Sequence, residues 1–242
     1  MQLKIAISPR IVVRNLIIGM LVLSAIGTGI QIGKYVFNYR ADWIGMFNLD
    51  REMNLPTWYS ALMLAFCALL LRAIAQGKKM QHDRFYRHWH ILSNIFWFMA
   101  IDEVLTIHEL LIIPDIAEAL NLPWFLHSMW VIPGSIAVVI FAKQYWKFTI
   151  NLPTQSRNHF LLAAIIYIGG ALGMEMVGSY FAELEGQQHL TYALIAVLEE
   201  VMEMLGIIAF IYGLLFYIGR WTQDLQVQVK IIGVSDRPLS QK

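Results

Sequence analysis

Six stretches of the chain are apolar almost without interruption, each about as long as the ~20 residues an α-helix needs to cross ~30 Å of hydrocarbon. They cover residues 11–32, 57–76, 89–113, 124–148, 160–181 and 192–218. Tyr and Trp gather at their ends, at Trp58, Tyr59, Trp89, Tyr145, Trp146, Tyr180, Tyr192, Tyr217 and Trp221. Amphipathic rings settle at that level of a bilayer. The triplet Asn-Leu-Pro precedes a span three times, at Asn54–Pro56, Asn121–Pro123 and Asn151–Pro153. Asn caps helices and Pro fits the first helical turn, so each triplet is a start signal. The pattern predicts an all-α, polytopic membrane protein: a bundle of six transmembrane helices over residues 1–221, then a tail over 222–242. Within the tail, LQVQVKIIGV alternates apolar and polar residues, the pattern of a short strand or a partner contact.

Composition agrees. The 242 residues are 58% hydrophobic and 14% charged, where a soluble domain carries roughly a quarter charged residues. Mean hydropathy is +0.56. A net charge of +1 supplies no field for nucleic acid, and the single cysteine, Cys67, excludes a disulfide framework. Lys4, Arg10 and Arg14 precede the first apolar run as in a secretory signal. That run is of full spanning length and five more follow, which points to an uncleaved first helix.

Charge sets orientation. With the N-terminus in the cytoplasm, 15 of the 18 Lys and Arg residues fall on the cytoplasmic side, and only Lys34, Arg40 and Arg51 face outward. The outer loops carry Asp42, Asp50, Glu52, Asp115, Glu118, Glu183 and Glu185 instead. The positive-inside rule then places both termini in the cytoplasm.

Seven of the 17 acidic residues lie inside the spans. The third span holds Asp102, Glu103 and Glu109 with His108, in IDEVLTIHE; the fifth holds Glu175; the sixth holds Glu199, Glu200 and Glu203 in LEEVMEMLG. A charge near the bilayer centre costs ~2.5–3.5 kcal/mol even on the gentlest scale. Helical spacing places Asp102, Thr106 and Glu109 on one face with His108 at its edge and Glu103 turned elsewhere. Glu199, Glu200 and Glu203 share a second face. Glu175, amid Gly169, Gly170, Gly173 and Gly178, is expected in a tight helix interface. At ~1.5 Å per residue, Glu109 lies ~6 Å, Glu175 ~10 Å and Glu199 to Glu203 ~10–17 Å below the outer ends of their spans. His127 is near enough to join them, and FNLDREMNLPTW is a loop that could fold over the site and offer Asp50 or Glu52. No Lys or Arg occurs between His88 and Ala142 or between Asn158 and Gly219. Buried anions must be protonated, paired or bound to a cation.

Three functions fit. The first is a divalent metal site with His108, Glu109, Glu175, Glu199, Glu200 and Glu203 as ligands, supported by Asp102 and His127. Oxygen-rich ligation with one imidazole suits Mn²⁺, Fe²⁺, Mg²⁺ or Ca²⁺. A catalytic metal there would act on a lipid or another membrane-dissolved substrate. A di-iron bundle normally shows two Glu-x-x-His motifs, and Glu200-x-x-Glu203 is a partial echo. The second is a proton- or cation-coupled transporter, for which a homodimer would supply a larger bundle. The third is a structural or assembly subunit whose acids are protonated and hydrogen-bonded.

FNLDREMNLPTWYS, IDEVLTIHE, YIGGALGMEMVGSYF and LEEVMEMLG together resemble a widespread, uncharacterised family of bacterial polytopic membrane proteins, often labelled hypothetical or multidrug transporters. The resemblance covers about residues 45–218. It implies a six-helix bundle in a cell membrane, either the bacterial inner membrane or an internal one, and carries no residue roles. Membrane hydrolases of the alkaline ceramidase and adiponectin-receptor type are a looser comparison. Their site takes several histidines on separate spans, where this sequence offers His108 and His127.

Overall fold

The computed structural model describes residues 8–49, 51, 53–111, 120 and 122–221. Asp50, Glu52 and the tail from residue 222 lie outside the described residues. The described chain is helical, without strands. Its α-helices are α1 (Pro9–Val36), α2 (Leu55–Met80), α3 (Tyr86–Leu105), α4 (Val131–Ile150), α5 (Thr154–Ile168), α6 (Glu175–Glu185) and α7 (Leu190–Trp221). A π-helical turn, Gly169–Met174, joins α5 to α6. Short 3₁₀ turns cover Asp42–Phe47, His108–Leu111 and Trp124–Leu126.

Among the described residues, four helical stretches are long and apolar enough to cross a membrane: Pro9–Val36, Leu55–Met80, Thr154–Glu185 and Leu190–Arg220. The other two expected spans are helical over a shorter length. The third stops at Leu105 because Thr106 is left-handed (φ 50°, ψ 41°). The fourth begins at Val131, seven residues after the start of the apolar run that suggested it. Apolar content counts residues of turns along with those of helices, which is why it overstates the length of both.

α7 is the central helix and packs against α1, α2, α5 and α6, while α2 packs along α3. The core follows helical spacing. On α2, Ala61, Leu64, Ala68, Leu71 and Ala75 are buried at intervals of three and four residues. Met204, Ile208, Ile211 and Leu215 do the same on α7. Trp89, 1% exposed, ties α3 to three other helices through ring contacts with Phe148, Phe160 and Tyr217.

The helix starts are set locally, and not always as the Asn-Leu-Pro rule suggests. Asn54 does cap α2, its Oδ1 accepting from the Thr57 backbone N–H at 3.1 Å. Asn151 instead closes α4 and accepts a hydrogen bond from Arg84 at 2.7 Å. After Pro123 comes only a 3₁₀ turn. Where residues 48–54 are described, the loop between α1 and α2 packs on the bundle. Asn48 accepts from the fully buried Gln31 of α1, and Asn54 donates to the Asn48 carbonyl. Leu49 lies so close to Gly27 that any Cβ there would overlap its side chain.

Candidate functional site

Acids from three parts of the chain meet around the α5–α7 interface, and helix irregularities bring them there. The first is the end of α3. The Asp102 carboxylate accepts the His108 backbone N–H at 3.0 Å and meets His108 Nδ1 at 2.9 Å. One carboxylate thus satisfies two donors of the reversed chain. Short acidic side chains that bond the nearby backbone compete with helix continuation. Asp102, Thr106 and Glu109 therefore do not form the face that uninterrupted helical spacing implies, and Glu109 lies exposed on the 3₁₀ turn. His108 lies in the field of Glu203 and Glu109 as well as beside Asp102. Its ring stands edge-on to Trp130, with centroids 5.1 Å apart. The Trp130 indole N–H is buried without a hydrogen-bond partner among the described residues.

The second irregularity is the π turn. Six residues, GGALGM, wind wider than an α-helix immediately before Glu175. Single-turn π segments of this kind cluster at functional sites because they re-aim the side chains that follow. Glu175 accepts a hydrogen bond from the Ser128 hydroxyl, which also lies 3.1 Å from the Ser179 hydroxyl. Ser128 and Ser179 are both buried. On its other side Glu175 faces Glu199 of α7, its nearest charged neighbour.

The third contributor is α7. Glu199 has Glu175, Glu203 and Glu200 as its charged neighbours. Close helix approach makes this geometry. A Cβ at Gly170 would sit 3.0 Å from the Glu199 carbonyl oxygen and 3.1 Å from Glu203 Cγ. One at Gly206 would sit 2.7 Å from the Tyr167 backbone nitrogen. Only glycine lets two backbones come this near. Tyr167 lies at the same junction, within electrostatic range of Glu203, Glu103, Glu200 and Asp102. Glu103, which helical spacing turned away, is thus one of the acids around this residue.

The expected site residues do not all come together. Glu175 and Glu199 meet directly, Glu200 and Glu203 adjoin them, and Asp102 with His108 lies on the Glu203 side. His127 is separate: its Nε2 meets the Leu122 carbonyl at 3.1 Å and its Nδ1 lies 4.0 Å from Glu183. Among the described residues no three His, Cys, Asp or Glu side chains converge as ligands of one metal ion. The break at Thr106 carries Glu109 to the surface, and the Glu175–Glu199 contact directs those two carboxyls at each other. Ser128, Ser179, Trp130 and Tyr167 join the site without any mark in the sequence. A serine or an aromatic ring in an apolar segment has no spacing signal to single it out.

Residues 15–218 match the family model described as Domain of unknown function (DUF8692). The chain belongs to that family. No curated protein and no solved structure shows significant similarity to it.

Proposed function

We propose that the chain is a multi-pass membrane protein that binds and releases protons at the Glu175–Glu199 pair and couples them to movement of a cation. The close approach of two carboxyls on different helices, with no Lys or Arg in either apolar stretch, carries this reading. Two facing carboxylates repel, and a proton held between them removes the repulsion. Two acids sharing one proton are a device for proton exchange, as like charges in contact cannot readily both ionise. The pair follows a π turn, and α3 ends nearby in a left-handed residue. Irregular helices at membrane depth mark binding sites in transporters, because freed backbone groups are tolerated there only beside a cavity or protein.

In this reading the six apolar stretches cross the bilayer with both termini in the cytoplasm, and the pair lies in its outer half. The four long apolar helices and the distribution of Lys and Arg support that arrangement. Asp102 and His108 extend the polar chain from Glu203 toward the outer surface.

The test uses purified protein in proteoliposomes loaded with a pH-sensitive dye. Imposed gradients of Na⁺, K⁺ and Mn²⁺ should change internal pH with the wild type and leave it unchanged with Glu175→Gln and Glu199→Gln. An infrared band of a protonated carboxyl at neutral pH should be present in the wild type and absent in Glu199→Gln. Bound divalent metal found by elemental analysis, and lost in both variants, would replace this reading with the metal site.

A further inference from the structure

We infer that the seam between α2 and α3 binds the phosphate of an anionic phospholipid. The inference rests on the membrane reading above but concerns a different face, outside the acid interface.

Arg72 lies about two turns before the hairpin end of one of the long apolar helices, Leu55–Met80. Its guanidinium Nη1 sits 2.6 and 2.7 Å from the two ring nitrogens of His90, and Nη2 lies 3.4 Å from Asn94 Oδ1. Both partners are on the exposed surface of α3. Neither an imidazole nor an amide carries negative charge, so neither contact neutralises Arg72. Among the described residues no carboxylate lies within ion-pairing distance of it. A guanidinium facing hydrocarbon needs an anion, and its flat fork suits the paired oxygens of a phosphate.

The neighbouring surface has the polarity order of a phospholipid. Ser93 donates to the Ala68 carbonyl at 2.8 Å and fixes the register of the two antiparallel helices. Toward the hairpin the exposed residues are Gln76, Lys79 and Arg87. Away from it they turn apolar, with Leu69 56%, Phe98 57% and Trp97 38% exposed. A headgroup held at Arg72 would lie among cations while its acyl chains run along the apolar end. Basic groups at the cytoplasmic edge of a span attract anionic lipid in this way.

The full-length protein in neutral detergent, followed by native mass spectrometry, tests this with short-chain phosphatidylglycerol, phosphatidylcholine of equal chain length, and inorganic phosphate. The wild type should retain phosphatidylglycerol ~10-fold better than phosphatidylcholine. Arg72→Gln should abolish the preference. Asn94→Asp keeps Arg72 and supplies its anion from within the protein, so it too should lose the preference while remaining folded. Retention of the preference in Asn94→Asp, or equal binding of the two lipids by the wild type, overturns the inference. Displacement of phosphatidylglycerol by equimolar inorganic phosphate would overturn the lipid assignment in favour of a free-phosphate site. Alkaline carbonate extraction reads the membrane reading separately, since lipid preference in detergent does not depend on it.

Discussion

The α2–α3 hairpin and the α5–α7 interface solve the same problem in opposite ways. Both bury polar groups between long helices. In the hairpin the buried cation has an opposite partner: Lys78, 5% exposed, pairs with Asp83 at 3.4 Å, and Asp83 also accepts the Phe85 backbone N–H at 2.7 Å. The helices there are regular through the contact, and Ser93 bridges them to a backbone carbonyl. At the α5–α7 interface like groups face each other, with Glu175 against Glu199 and Glu203 beside them. The helix there is interrupted by a π turn, and glycines set the spacing. Opposite charges in contact attract, whereas facing acids repel unless a proton or a cation lies between them. On the function proposed above, the hairpin stays closed and the acid interface changes state.

The largest effect should come from forcing the acid interface apart. Gly206→Leu places side-chain atoms against the Tyr167 backbone, which has no rotamer with which to yield. The cost should be about 3 kcal/mol or more, seen as a lower midpoint in denaturing-detergent unfolding. A wild-type midpoint would show that α5 and α7 are not in backbone contact.

Next is the hairpin. Asp83→Ala leaves the buried Lys78 ammonium without its carboxylate and should cost about 1–3 kcal/mol in the same assay. The partial exposure of Asp83 keeps this below the cost of a fully buried pair. Lys78→Met with Asp83→Ala should recover much of the loss. If the double variant is no better than the single, the ion pair does not define the hairpin.

A smaller effect distinguishes the acid pair. Ser128→Ala removes a donor to Glu175 and should cost about 1 kcal/mol. Glu199→Gln replaces one hydrogen-bonding group with another and should change stability by less, about 0.5 kcal/mol in either direction. A loss of several kcal/mol in the Glu199→Gln variant would mean the carboxyls do not share a proton.

The smallest prediction concerns the end of α3. Thr106→Gly should stabilise by about 0.5–1 kcal/mol, because glycine adopts φ 50° without strain. Were α3 continuous through residue 113, as its apolar content suggests, the same change would destabilise by a similar amount.

Hydrophobic runs alone specified the long helices, because burial of a 20-residue apolar segment has few solutions. Asn54 was legible as a cap because capping is local chemistry. The absence of Lys and Arg among the inner acids was equally plain, and it showed that these carboxyls need protons or cations. The break at Thr106 was not legible: IDEVLTIHE keeps helical hydrophobicity, and only the return of His108 onto Asp102 ends the helix. The π turn was hidden for a related reason, since GGALGM marks close packing without stating its winding.

The sequence by itself determined an all-α chain with long apolar helices and a set of acids in stretches that hold no Lys or Arg. Tertiary structure alone decided which acids touch. Period and composition fix what lies on each helix, whereas the approach of Glu175 to Glu199 depends on the distance and rotation of two helices. Those are set by backbone contacts at Gly170 and Gly206 that involve residues far apart in the chain.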